Sequence, residues 1–542
     1  MKCHRPSEAP SSKLQAPEKL QAPTFKILQR ILQLTSGTAI PKRQRTAALQ
    51  PRKLSGLAES SRVWTYAPAS WSAAVLCRYL APASCLIATL VTFAGCARFE
   101  SRPISPEKSA AALEGRSLDS ADLERFLKRN LGRELAEWPA KAWDLEMLTF
   151  AGFYYHPSLE VARAQWAVAQ GGETTAGQRP NPVVTVSPSY NTTTAMASPW
   201  LLVATLDVPI ETAGKRSKRK AQAARLSEAA KLNIATVAWQ VRSNIRTALL
   251  DFIAAGARDA ALKNQVALQE DILRRQQQQV EAGAIAPSEA LPFRITLEKA
   301  RLDLADAQRM RAEARAKLAE AIGVPVQALA NVRLDFDLQR GPESVKQLTS
   351  AEIRRTALTT RADILGGLAE YAASQAALQL EIAKQYPDIH LQPGYEFDQG
   401  DNKWGIGASL ELPVLNQNQG PIKEAKARRE EAAAKFAVLQ VKVMAEIDRA
   451  VEVFNISDRN LAALQPLAEA QARRTQAVKE QFQAGAVDQT ELLSVQVEQA
   501  TAEITRLDSQ IKLQQAIGAL EDAVQRPILP KAIFESIQAH AP

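Results

Sequence analysis

The chain has 542 residues, with 67 Lys and Arg against 58 Asp and Glu, and its formal charge of +9 raises the question of a nucleic-acid partner. The charge is local: residues 1–95 carry 13 basic side chains and only Glu8, Glu18 and Glu59, whereas the remainder holds 54 basic and 55 acidic residues. That balance removes the support for a basic nucleic-acid-binding surface, and the positions of the cysteines, Cys3, Cys77, Cys85 and Cys96, exclude disulfides, Cys-based zinc sites and thiol nucleophiles beyond residue 96.

Residues 1–95 read as a leader. The first part is rich in Pro, Ser, Lys and Arg, and a length of this kind ahead of an export signal points to an over-extended translation start. Tyr79 to Gly95 is mostly apolar, follows Arg78 and ends in small residues, which is the order of a charged region, an apolar region and a cleavage site. Phe93-Ala94-Gly95-Cys96 resembles the lipobox of bacterial lipoproteins, with Phe where Leu is usual. The resemblance implies that Cys96 becomes the first residue of the mature chain and carries a covalent lipid; no other cofactor is expected. Arg98 is not the Asp that retains such proteins in the inner membrane. An ordinary signal peptide cut near Ala97 is the competing reading.

After a lipid-anchored segment at 96–142, the sequence repeats itself. Pro182, Pro188 and Tyr190 recur as Pro387, Pro393 and Tyr395, an offset of 205 residues; Trp200, Ala204, Leu206 and Pro209 recur as Trp404, Ala408, Leu410 and Pro413, an offset of 204. Farther on, Gly283, Glu289 and Leu291 recur as Gly485, Glu491 and Leu493. Two structural repeats follow, 143–325 and 361–528, separated by a connector at 326–360 and followed by a tail at 529–542. Each repeat reads as a helix (about 143–178 and 361–385), two strands (182–191 and 200–210; 387–398 and 404–414), a long helix (about 213–281 and 418–482), a tight turn and a return helix (about 287–322 and 489–525). The helical stretches are rich in Ala, Leu, Gln, Glu, Lys and Arg. Pro287 suits a first helical position, Gly283 and Gly485 suit the left-handed residue that ends a helix, and Asp488 with Glu491 forms a D-x-x-E capping box.

The strands alternate. Ile389, Leu391, Pro393, Tyr395 and Phe397 share one face, as do Trp404, Ile406, Ala408, Leu410 and Leu412; Val184, Val186, Pro188 and Tyr190 with Trp200, Leu202, Ala204, Leu206 and Val208 do the same in repeat 1. About ten residues is the length a tilted strand needs to cross the hydrocarbon core, and the alternation alone also fits a soluble sheet with one buried face. The export signal and the matched aromatic residues Tyr190, Trp200, Tyr395 and Trp404, read as membrane-interface anchors, favour the membrane. Four strands cannot close an open barrel, and lipid does not tolerate a free edge, so three copies supplying twelve strands are expected.

Together these features resemble the TolC-like outer-membrane efflux protein family over about residues 96–530. The residues that carry the resemblance are Cys96, the paired strands, Val208 to Glu211 followed by Gly214-Lys215-Arg216, Leu412 to Gly420, and the turn at Gly485 to Leu493. Gly-Lys-Arg and Asn416 to Gly420 are most similar to the heavy-metal (cation) efflux branch, with the drug-efflux lipoprotein branch open. The resemblance implies a mainly α fold with a small membrane β-barrel: a homotrimer whose twelve-stranded barrel continues into a long periplasmic α-helical barrel. It implies passive conduction in the outer membrane, with a periplasmic adaptor and an inner-membrane pump of the resistance-nodulation-division type as partners, and no enzyme activity. The absence of a phosphate loop agrees.

Family members close the duct and meet the adaptor at the helical tips, which assigns Gly283, Glu289, Gly485, Asp488 and Glu491 to a gate and adaptor tip; capping alone is the plainer role for Glu491. Asp207 and Glu411 are candidate charges in the lumen. No metal centre is expected, because His4, His156, His390 and His540 lack ligand spacing. The basic residues after each strand pair, Lys215 to Lys220 and Lys423 to Arg429, read as solvated helix faces. A periplasmic adaptor would show one hairpin flanked by Gly-rich β-domains, a coiled-coil scaffold would show sustained heptads, and an enzyme would show a catalytic constellation.

Overall fold

A computed structural model describes residues 99–131, 135, 137–193, 198–339 and 350–527. Cys96, the leader and the tail at 529–542 lie outside the described residues. Two compact units divide at residues 112 and 113. The first contributes residues 99–112 and most of helix α1 (Pro106–Glu114), an exposed single helix whose Ser109 N–H and Oγ both donate to the carbonyl of Ser105. The second unit holds the described residues from Leu113 onwards.

A four-stranded antiparallel sheet joins the two repeats. β2 (Val183–Tyr190) and β3 (Trp200–Ile210) come from repeat 1, β5 (Ile389–Asp398) and β6 (Asp401–Leu410) from repeat 2, in the order β2-β3-β5-β6. The register sets Tyr190 opposite Trp200 and Tyr395 opposite Trp404, so the two hairpins are paired alike. Val186, Ala204, Tyr395 and Trp404 then lie in one row across the sheet. With a side-chain period of two, all the apolar positions named above fall on one face. The other face carries Thr185, Ser187, Asp207, His390, Gln392, Glu396, Lys403 and Ser409, together with Val183, Leu201 and Val203. Gln399 and Gly400, both at positive φ (50° and 123°), close the second hairpin in two residues.

The expected strand 404–414 is shifted. β6 begins at Asp401, because Asp401 to Lys403 pair with Glu396 to Asp398, and it stops at Leu410. In repeat 1 the equivalent of the missing stretch, Val208 to Ile210, remains a strand because β5 pairs with it. Among the described residues Leu412, Pro413 and Val414 have no such neighbour, and Pro413 has no N–H to offer a ladder. β2 and β6 are the edges of the sheet, and both are exposed along their whole length.

The helices carry the rest. β1 (Ala142–Trp143) pairs in parallel with β4 (Arg333–Leu334), two residues each, a contact that periodicity could not have shown. α2 (Ala121–Asn130) is capped by Ser120, and α3 (Leu145–Tyr155) by Asp144, whose Oδ1 accepts from Met147 N at 2.9 Å. The expected helix at 143–178 is therefore broken: α3 ends where His156 takes an extended conformation before Pro157, and α4 (Pro157–Gly177) follows. Its counterpart α8 (Ala362–Ala383) starts at the equivalent station, Arg361, after α7 (Ser350–Thr360) in the connector. His156 Nδ1 lies 2.7 Å from Ser158 Oγ, while Arg361 makes a two-pronged contact with Asp363 at 3.0 and 2.7 Å. Different side chains thus fix the same turn in each repeat.

The long helices are α5 (Lys215–Glu281, 67 residues) and α9 (Gln419–Gln483, 65 residues). Each spans on the order of 100 Å at 1.5 Å per residue. The return helices are α6 (Pro287–Ile322) and α10 (Gln489–Val524). α5 is the hub, packed against α4 and α6 of its own repeat and against α8 and α10 of the other. α9 packs mainly on α8 and α10, with α7 at its middle. One apolar core gathers α2, α3, the middle of α5 and the end of α6 around Trp143, Leu148, Ile245 and Leu318. A second gathers α7, the middle of α9 and the end of α10 around Ile364, Val443, Ile447 and Ile517. On the opposite side of α9, Val438, Val441, Ile456 and Leu467 are exposed.

Candidate functional site

The sheet meets the helices at a junction held by both repeats. Asp388, just before β5, accepts from Lys215 Nζ at 2.8 Å and from Thr212 N at 2.9 Å. Burial opposes ionisation of Asp388, but Lys215 and the Thr212 N–H outweigh it and hold its carboxyl below the ordinary value. Arg219 grips Glu211 through two guanidinium nitrogens, and Arg216 Nε donates to the carbonyl of Gly177 at 2.6 Å. The basic cluster after β3 was expected to be solvated. Instead Lys215 is buried, and the first turn of α5 bolts α4, β3 and β5 together.

On the polar face of the sheet, His390 Nδ1 lies 3.0 and 3.1 Å from the two oxygens of Asp207. Neither residue signalled the other in sequence, being 183 residues apart. The pairing becomes visible only when the β3–β5 register sets Pro209 opposite His390. Glu411 is exposed one residue beyond β6. On the opposite, apolar face the ring centroids of Tyr190 and Trp200 are 5.1 Å apart, and those of Tyr395 and Trp404 are 4.8 Å apart.

The two hairpin tips are built alike. Gly283 (φ 70°) and Gly485 (φ 74°) adopt the left-handed conformation that lets each long helix end, with their N–H groups donating to Val280 O and Phe482 O. The expected capping box is divided between the tips. Asp488 Oδ1 accepts from Glu491 N at 2.7 Å, and the reciprocal arm is seen in repeat 1, where Glu289 Oε1 accepts from Ala286 N at 3.2 Å. Asp488 therefore caps α10, while the Glu491 carboxylate is exposed at the third helical position.

Sequence reasoning missed a buried polar cluster between α5 and α10. Glu521 is fully buried, with Arg242 Nη1 at 3.0 Å and Arg246 Nε at 3.5 Å. Arg246 Nη2 donates to Gln514 O at 2.9 Å. Asp522 accepts from Trp239 Nε1 at 2.9 Å and Ser243 Oγ at 2.6 Å. Burial raises the Asp522 carboxyl and lowers the Arg246 guanidinium. The signal was present as charges at core-facing helical positions, but it needs the partner helix to be interpreted. Among the described residues no group of three or more His, Cys, Asp and Glu is placed to hold a metal ion. No described helix is long and apolar enough to cross a membrane.

A family model described as "Outer membrane efflux protein" matches residues 155–324 and 353–524. The chain is 24% identical over 307 residues to the cobalt-zinc-cadmium resistance protein CzcC of Cupriavidus metallidurans, covering 55% of this chain and 70% of that one. It is 25% identical over 309 residues to the pyoverdine export outer membrane protein OpmQ of Pseudomonas aeruginosa, covering 54% of this chain and 64% of that one. Among solved structures, the outer-membrane channel OprN superposes with a TM-score of 0.60 at 18% identity, covering 79% of this chain and all of that one. CusC superposes with a TM-score of 0.57 at 17% identity, covering 79% and 99%.

Proposed function

Since this chain belongs to the outer membrane efflux protein family and is an outer-membrane efflux channel, we propose that three copies form one conduit, with the four-stranded sheets closed into a twelve-stranded membrane barrel and the long helices forming a periplasmic tube. The observation that carries this reading is the sheet itself: one continuous apolar face, one face that holds the charged and most of the polar side chains, and two fully exposed edges, β2 and β6. An unpaired edge in hydrocarbon leaves backbone N–H and C=O groups without partners, at several kcal/mol each, and closure removes both edges at once.

The helices support the same closure. The face of α5 that receives α8 and α10 from repeat 2 has its counterpart on α9, where Val438, Val441, Ile456 and Leu467 are bare. The duplication gives that face matching occupants, α4 and α6 of a second copy. With the apolar sheet face outward, Asp207, His390 and Glu411 belong to the conduit wall, and Tyr190, Trp200, Tyr395 and Trp404 to the lipid interface. The tips with Gly283, Glu289, Gly485, Asp488 and Glu491 are the periplasmic end, where a gate and an adaptor contact belong, with an inner-membrane pump beyond. A lipid on Cys96 would fasten the chain to the same membrane.

For cargo, metal cations are the reading carried forward. The wall carboxylates suit cations, and one relative is named for cobalt, zinc and cadmium resistance; the similarity to a pyoverdine exporter favours an organic cargo as the second reading. A deletion strain tested with divalent metals and with organic export substrates separates them: metal sensitivity restored by this chain supports the first, and restored organic export alone supports the second. Fractionation tests the placement, since the chain should partition with the outer membrane and need detergent for release. Recovery as a soluble periplasmic protein would reject it.

A further inference from the structure

The conduit reading turns the charged face of the sheet towards the pore, and His390 is the one imidazole in the four strands of that sheet. We infer that His390 is a cargo-contact residue: its Nε2 is a transient ligand for borderline divalent cations such as Zn2+, and Asp207 is the positioning residue that holds it in that role. The inference rests on the proposed conduit and deepens the metal-cation reading of its cargo.

Strand register brings the pair together. Pro209 faces His390 across β3 and β5, and Asp207 lies two residues along β3 on the same face, so the two side chains meet diagonally. His390 Nδ1 is 3.0 and 3.1 Å from the two Asp207 oxygens. An ionised carboxylate only accepts, so Nδ1 carries the proton and the neutral ring keeps its lone pair on Nε2. Among the described residues nothing bonds Nε2, and the His390 side chain is 40% exposed against 29% for Asp207. A carboxylate behind Nδ1 and an open Nε2 in front is the arrangement that orients an imidazole for a metal ion and raises its basicity as a ligand. The surrounding charge suits a cation. Lys215 is matched by Asp388 and Arg219 by Glu211, so neither leaves an unmatched positive charge beside the pair. On the other flank Ser409 faces His390, and Glu411 lies two residues beyond it.

The sheet itself does not require this imidazole. Repeat 1 has Thr185 at the station of His390, 205 residues earlier, and β2 pairs with β3 there without a histidine. The arrangement is also not that of a resident metal centre: among the described residues no group of three or more His, Cys, Asp and Glu is placed to hold an ion. Twelve strands spaced by about 4.8 Å and tilted by about 40° make a ring about 24 Å across, too wide for three imidazoles to share one ion at bonds of about 2 Å. Each copy therefore offers one nitrogen, and water completes the shell. Such a contact is weak and quickly exchanged, as conduction needs, since the ion must be bound well enough to enter and loosely enough to leave. Imidazole suits Zn2+ and its first-row neighbours, whereas carboxylates and water suit Mg2+. His390 thus gives the wall a preference that a ring of carboxylates alone lacks.

Planar bilayers holding the purified channel test this, with K+ current as the reading and Zn2+ or Mg2+ as the added ion. Half-inhibition by Zn2+ should need a concentration at least about tenfold lower than by Mg2+. His390→Thr, which gives repeat 2 the residue that repeat 1 already carries, should conduct K+ like the wild type and abolish that difference, and His390→Gln should do the same. Asp207→Asn keeps the imidazole but should raise the half-inhibiting Zn2+ concentration about tenfold, more than it raises that of Mg2+. A wild-type channel that responds alike to Zn2+ and Mg2+ overturns the inference without any variant, as does a His390→Thr channel that keeps the Zn2+ preference; both results leave the conduit standing. A wild-type protein that forms no channel overturns the conduit and the inference together.

Discussion

Replacing Gly518 by alanine should weaken the contact between the repeats although it improves the helix that carries it. A Cβ built at Gly518 falls 1.9 Å from Arg246 Nη1 and 2.9 Å from its Cζ. The guanidinium must move, and it is buried in a slot where it donates to Gln514 O and lies 3.5 Å from Glu521. Alanine gains about 1 kcal/mol of helix propensity over glycine. Against that, a hydrogen bond to a charged group contributes about 1.5–3 kcal/mol, and disturbing one partner of a buried ion pair costs about 3–5 kcal/mol when the pair is fully broken. Arg242 keeps its own contact with Glu521, so only part of that larger cost applies, and a net loss of about 2 kcal/mol is expected. Denaturant unfolding in detergent, followed by circular dichroism, should show a lower midpoint at unchanged slope. In an Arg246→Ala background the same Gly518→Ala change should become neutral or stabilising, because the obstructing group is gone. A Gly518→Ala protein at least as stable as wild type would refute the reasoning.

Other outcomes follow from the same structure. Asp388→Asn should destabilise by about 1 kcal/mol at neutral pH, a figure already reduced for its partial exposure. Its folded carboxyl is held below the ordinary value, so its contribution is present above about pH 4 and is lost as pH falls through the folded pKa; thermal melts of the two proteins should converge in acid. Asp522 has the opposite sign: burial raises its folded pKa, so its contribution is present at low pH and is lost as pH rises through that value. Asp522→Asn should therefore gain on wild type from acid towards neutral pH, and a constant gap would contradict the assignment. Asp488→Ala should cost about 1 kcal/mol through loss of the α10 cap. Glu491→Ala should leave stability almost unchanged and reduce cation selectivity in planar bilayers, and unaltered selectivity would remove it from the gate.

Much of this architecture was legible because the repeat pins it twice. Gly283 and Gly485 marked both tips, and the long helices begin and end within two residues of the expected positions. What the sequence hid was set by tertiary context. The break at His156 depends on a local turn closed by Ser158, whereas its counterpart uses Arg361 and Asp363, so no shared motif announces it. Lys215 resembles any solvated lysine until Asp388, 173 residues away, is brought against it. His390 and Asp207 needed the register of two strands from different repeats. The end of β6 was overestimated because alternation continues through Val414 while, among the described residues, no strand of the chain pairs with 411–414.

A twelve-stranded conduit requires that β2 and β6 find each other in different copies. Native mass spectrometry of the channel extracted from the outer membrane tests this most directly. It should report a single species with three times the mass of the mature chain, stable until the detergent is exchanged for a denaturing one. A monomer, or an even-numbered assembly, would contradict the twelve-stranded conduit.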